Sequence, residues 1–217
     1  MHANIQTMQS YTSIMGETTL ARPTRQAILD ATDRLLGRLG YHKTTIDDLA
    51  REAGIARRTI YLHFPSKEEV VLSTIDRMVD RLLVKLAEIA EGPGSVSTRL
   101  ESMLVTRILY RFDHRHHDSK SMDELLSALR APYLARRERY FAAEAAVIAE
   151  VLDEGRVHDE LFLEDLAMTA QTLVLATNAL LPSNLSAREL GKRKQVAEQA
   201  SSLARLLVRG LAPQRRR

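Results

Sequence analysis

Apolar residues recur along this chain at i, i+3, i+4 and i+7, the spacing of one helix face, and runs of Val, Ile and Thr at period two are missing. Ile28, Ala31, Leu35 and Leu39 make one stripe, closing at Gly40, a natural helix stop. Ile46, Leu49, Ala50 and Ala53 make a second, closing at Gly54. Thr45 is its expected N-cap, and Asp47 and Asp48 sit in its first turn, at the positive end of the helix. A short helix over Arg57–His63 comes next. Pro65 breaks it, and Ser66 with Glu69 fits a capping box for a long helix over Lys67–Glu91. After the break Gly92-Pro93-Gly94-Ser95, one helix runs to about Asp113 and a short one covers Ser121–Leu129. The next has Pro132 in its first turn and extends to Glu154 before Gly155. The last two cover Glu164–Leu181, with Pro182 as the stop, and about Ala187–Gly210. The expected fold is all-α, with about nine helices: three short ones in front and six longer ones behind.

Composition narrows the classes. Of 217 residues, 45% are hydrophobic and 27% charged, too apolar for a disordered chain. The absence of cysteine excludes disulfides, thiolate zinc sites and cysteine nucleophiles. Every apolar run falls well short of the ~20 residues that span a bilayer. The first 19 residues lack the basic start and apolar core of a secretory signal, and being polar and aperiodic they are expected to be disordered. A cytoplasmic protein without membrane contact is expected. Residues 20–67 hold nine Lys/Arg against five acids, whereas residues 68–214 carry a net −3. A basic front suits a polyanionic partner, although uneven solvated charge gives the same balance.

The first three helices carry the informative signal. Gly54-Ile55-Ala56 separates the second from the third at the spacing of a helix-turn-helix, whose second helix enters the DNA major groove. Ile60 and Phe64 are four apart and can face a core with Ile55, leaving Arg57, Arg58, Tyr61 and Leu62 on other faces. An ordinary three-helix cap with solvated arginines has the same pattern.

The segment Thr44-Thr45-Ile46-Asp47-Asp48-Leu49-Ala50-Arg51-Glu52-Ala53-Gly54-Ile55-Ala56-Arg57-Arg58-Thr59-Ile60-Tyr61-Leu62-His63-Phe64-Pro65-Ser66-Lys67-Glu68 closely resembles the DNA-binding motif of the TetR family of bacterial transcriptional repressors. The resemblance covers about residues 22–74. It implies a homodimeric repressor released from a palindromic double-stranded operator by a small-molecule effector, with no cofactor. The implied layout is a DNA-binding head over 20–66 and a ligand-binding and dimerisation body over 67–211, between an extension at 1–19 and a basic tail at 212–217. Arg57, Arg58 and Thr59 then look like base-edge readers, with Leu62 against a thymine methyl. Tyr61, His63, Thr45 and Lys67 look like phosphate contacts. Ala56 departs from the serine that members often carry there, which removes a helix cap.

Behind the head the signals are weaker. Met103, Arg107 and Tyr110 recur at helical spacing, as do Tyr133, Arg137 and Tyr140, and Asn178 interrupts an apolar run. These residues suit a ligand pocket, and the tyrosines suit core packing equally. Leu166 and Leu173, with Val196, Ala200, Leu203 and Leu207, form stripes suited to a four-helix dimer seam. His114, His116 and His117 lie in a polar connector that lacks a full ligand set, so no metal site is expected. A phosphate-cradling glycine loop, HExxH and a nucleophile elbow are all missing, so no catalytic residue is assigned. The rival reading is an all-helical enzyme or scaffold with an incidental helix-turn-helix.

Overall fold

The computed structural model describes residues 21–114, 127–182 and 191–213. Among them lie eight α-helices and no strand: α1 (Ala21–Lys43), α2 (Ile46–Ala53), α3 (Arg57–His63), α4 (Lys67–Ala90), α5 (Val96–Asp113), α6 (Arg130–Val157), α7 (Leu166–Thr177) and α8 (Arg193–Gly210). A 3-10 turn, Asn178–Leu180, follows α7. The extension at 1–19, most of the expected helix at 121–129, His116, His117 and residues 214–217 lie outside the described residues. No helix among the described residues is long and apolar enough to cross a membrane.

Among the described residues, three of the four buried apolar clusters follow one another from head to body. Ile28, Leu29, Leu35, Leu49, Ala50, Ile60, Phe64 and Val70 close the head, so α4 contributes its first turn to it. Leu36, Tyr41, Val71, Leu72 and Leu129 form a junction between α1, α4 and the start of α6. The body packs Leu82 and Leu86 of α4 against Leu100 and Leu104 of α5, Ile148 and Leu152 of α6, Leu173 of α7 and Ala204 of α8. At the junction, Arg77 of α4 donates to Gln26 (3.0 Å), Asp30 and Asp33 (2.6 Å each) of α1. From the neighbouring face of α4, Asp76 and Glu69 are bridged by Arg136, and Arg139 and the Tyr140 hydroxyl also donate to Asp76. α4 is thus fastened to head and body by two separate sets of ion pairs.

Several boundaries differ from the periodicity. Leu39, expected on the buried stripe of α1, is 41% exposed. Gly40 adopts φ 76° and ψ 174°, and the redirected chain buries Tyr41 instead. Gly155 does not stop α6, which runs on to Val157. A Cβ there would lie 2.7 Å from Leu161 and 2.8 Å from Val96, so the glycine serves close packing. α7 ends at Thr177, well before Pro182, because its terminal groups are drawn to Arg107 of α5. Arg107 donates to the Val174 carbonyl (3.1 Å), the Thr177 hydroxyl and Asn178 Oδ1 (2.9 Å). The last helix starts at Arg193 rather than near 187: Gly191 has φ 62° and Lys192 is extended, which keeps both out of the helix.

Candidate nucleic-acid interface

Local chemistry builds the helix-turn-helix. The Thr45 hydroxyl accepts from the Asp48 N–H (3.1 Å) and the Asp48 carboxylate accepts from the Thr45 N–H (3.2 Å), a complete capping box that starts α2. Its carboxyl is held below the usual range, chiefly by the hydrogen bond from the Thr45 hydroxyl. Gly54 ends α2 in the left-handed region (φ 67°), where its N–H reaches the Arg51 carbonyl and that of Ile55 the Ala50 carbonyl (3.0 Å). The chain then enters α3 through Ala56, which supplies no side-chain cap. Thr45→Ala should cost about 1 kcal/mol, read as a lowered urea midpoint at unchanged m. An unchanged midpoint would show that the box adds nothing.

Ile60 of α3 and Phe64, just past its end, are sealed in the head core, so the opposite face of α3 is open. Leu62 on that face is 75% exposed. Arg58 is exposed with no partner among the described residues. Arg57 is arranged differently. Its Nη1 donates to both oxygens of Asp47 (3.3 and 3.2 Å), its Nη2 reaches the Tyr61 hydroxyl (3.4 Å), and the guanidinium lies 5.7 Å from the centre of the Tyr61 ring. Thr59 is half-buried, Tyr61 is exposed, and His63 is half-buried beside Phe64, with ring centres 6.5 Å apart. Beside α3, Glu52 gathers Arg34 and Arg38 of α1 (2.7 Å each).

Lys67, expected against a phosphate, is half-buried and already engaged within the protein. Its ammonium donates to the carbonyls of Tyr41 and Thr44 (3.1 Å each) and sits 4.1 Å from the centre of the Tyr41 ring. It thereby caps the C-terminal end of α1, and two of its three donors are spent. Burial, reinforced by the Glu68 carboxylate that its hydroxyl bonds, pushes the Tyr41 phenol up to about 12.

The body residues expected to line one pocket are spread over several settings. Met103 is buried in the apolar core, and Arg107, with no exposed surface, donates from Nε to Glu144 (2.7 Å). Asn178 joins that cluster through Arg107, whereas Tyr133 packs at the head–body junction and Tyr140 bonds Asp76. Arg137 shares Phe141 with Arg107, each guanidinium 5.6 Å from the ring centre. Tyr110 stacks on His114 at 3.9 Å, and burial raises its phenol. The periodicity missed Glu144 and Arg111, which completes the cluster by donating to Glu144. Burial disfavours the charged Glu144, but Arg111 and Arg107 outweigh it and hold the carboxyl low.

The residues of the expected dimer stripe differ in exposure. Leu173, Val196 and Ala200 are buried within the protomer, and Leu166, Leu203 and Leu207 are half-buried. On α7 and α8 the large apolar side chains left exposed are Met168, Leu175 and Leu206, the two leucines each 71% exposed.

Residues 28–74 match the family model described as bacterial regulatory proteins, tetR family. The chain is 33% identical over 179 residues to the HTH-type transcriptional regulator EthR of Mycobacterium tuberculosis (strain ATCC 25618 / H37Rv), covering 79% of this chain and 78% of that one. Among solved structures, a transcriptional regulator of the TetR/AcrR family from Thermobifida fusca superposes with a TM-score of 0.65 at 24% identity, over 89% of this chain and 98% of the other. A transcriptional regulator from Cytophaga hutchinsonii gives a TM-score of 0.70 at 17% identity, over 87% and 98%.

Proposed function

The chain belongs to the tetR family of bacterial regulatory proteins, DNA-binding transcriptional regulators with a ligand-binding body, and from that premise we propose that it acts as a homodimeric repressor of a palindromic operator. The single observation that carries the reading is the open face of α3: an Arg58 without a partner among the described residues and an exposed Leu62, opposite the sealed Ile60–Phe64 pair. The head comprises residues 20–66 and the body 67–211. The two α3 helices of a dimer enter successive major grooves, about 34 Å apart. Exposed Met168, Leu175 and Leu206 supply the seam between protomers.

A small-molecule effector acts on the body, and α4 carries its effect to the head. Its influence equals the difference in its affinity for the two states, and DNA opposes it by the same factor. An incidental helix-turn-helix on an enzyme is not favoured, since the relatives are transcriptional regulators.

The test is a mobility shift on the DNA upstream of the protein's own reading frame, followed by selection of a cognate duplex from a random pool. Arg58→Ala should weaken cognate binding by about 1–3 kcal/mol and relax preference at one base pair per half-site. Equal weakening on scrambled DNA would make Arg58 a phosphate contact. No retardation of any duplex at low salt would reject DNA binding.

A further inference from the structure

Asp47 stands out because a carboxylate on a DNA-facing surface repels the phosphates that the surrounding cations attract. It is 59% exposed at the side chain and takes no part in the capping box, which belongs to Thr45 and Asp48. Asp48 is further occupied by Arg51 (3.0 Å). Among the described residues, what Asp47 holds is Arg57, through Nη1. The Tyr61 hydroxyl takes Nη2 on the far side, and the Tyr61 ring lies beside the guanidinium. Arg57 is therefore gripped from α2 and from one turn further along α3.

We infer that Asp47 is a specificity-determining residue for DNA recognition, which fixes the Arg57 guanidinium for base reading and withholds it from unspecific phosphate contact. The inference rests on the proposed docking of α3. A free arginine at the first position of a recognition helix swings to whichever phosphate is nearest, which adds affinity on every sequence. A guanidinium held by a carboxylate keeps a fixed plane, and its remaining N–H groups meet a suitable base edge in one register only. On a wrong sequence the carboxylate adds repulsion without a compensating bond.

The experiment uses the full chain, a duplex selected by the wild-type protein from a random pool, and a scrambled duplex of equal length, titrated by anisotropy across a salt series. Asp47→Asn should tighten the scrambled duplex several-fold and steepen its salt dependence by about one unit per protomer. The ratio of cognate to scrambled affinity should fall about tenfold. In an Arg57→Ala background the same substitution should leave that ratio unchanged within about twofold, because Asp47 acts through Arg57. Equal tightening of both duplexes, no change in either, or an undiminished fall of the ratio without Arg57 would each overturn the inference. Failure of the docking itself reads differently: Arg57→Ala and Arg58→Ala would then leave both affinities untouched. Thermal melts of each variant establish that the head remains folded.

Discussion

Glu144→Gln should be among the most destabilising single substitutions in the body, lowering stability by about 3–5 kcal/mol. The carboxylate has no exposed surface and lies between two guanidiniums, Arg107 and Arg111, of which Arg107 is equally buried. Glutamine keeps the shape and one acceptor but removes the negative charge, leaving two positive groups facing each other in a medium that screens them poorly. Arg107 would retain Val174, Thr177 and Asn178 as partners, so the change isolates the electrostatic part of the cluster. Urea denaturation followed by circular dichroism measures it. A loss below about 1 kcal/mol would mean that water reaches the cluster and screens it.

Leu175→Asp is the counterpart on the outside of the protein. The side chain is 71% exposed in the protomer, so an aspartate is harmless to the fold of one chain. In the proposed twofold seam the same carboxylate is desolvated once from each protomer. At about 2 kcal/mol for each copy, dimerisation should weaken by on the order of 4 kcal/mol, roughly a thousandfold in Kd. Sedimentation at micromolar concentration should then show monomers, with the melting midpoint lowered only as far as the lost association requires. A persistent dimer would place the seam elsewhere, and a collapsed midpoint would show that Leu175 supports its own protomer. Leu203, half-buried in the chain, cannot separate these outcomes as cleanly.

The helix-turn-helix is legible in the sequence because its instructions are local. Thr45 with Asp48, Gly54, and the pair Ile60 and Phe64 act within a few positions of one another, and each appears where the spacing places it. Even the missing cap at Ala56 follows from the side chain alone. The body is otherwise. An apolar stripe looks identical whether it faces its own protomer or a second one, so Leu173, Val196 and Ala200 gave no sign that they turn inward. Arg107 finds Glu144 37 residues away and Asn178 71 residues away, and no periodicity links such positions. The intramolecular bonds of Lys67 are hidden from the sequence for a related reason: its partners are backbone carbonyls of Tyr41 and Thr44, and every residue carries a carbonyl. Gly155 carried the right residue type for a helix stop, but only the positions of Leu161 and Val96 reveal its use.

The grip of Arg77 on α1 bears on how such regulators exchange parts during evolution and in the laboratory. A reading head transplanted with a cut after residue 66 would leave behind Val70, which closes its core, and Arg77, which neutralises Asp30 and Asp33. The graft would arrive with an open apolar face and two carboxylates three positions apart, their cation missing. The donor segment must therefore continue through Arg77, which carries Asp76 across with it and so imports the contacts that greet Arg136, Arg139 and Tyr140 of the recipient. Recombination between relatives is thus expected to succeed where both parents place compatible charges on those two neighbouring residues, whatever the sequence each head reads.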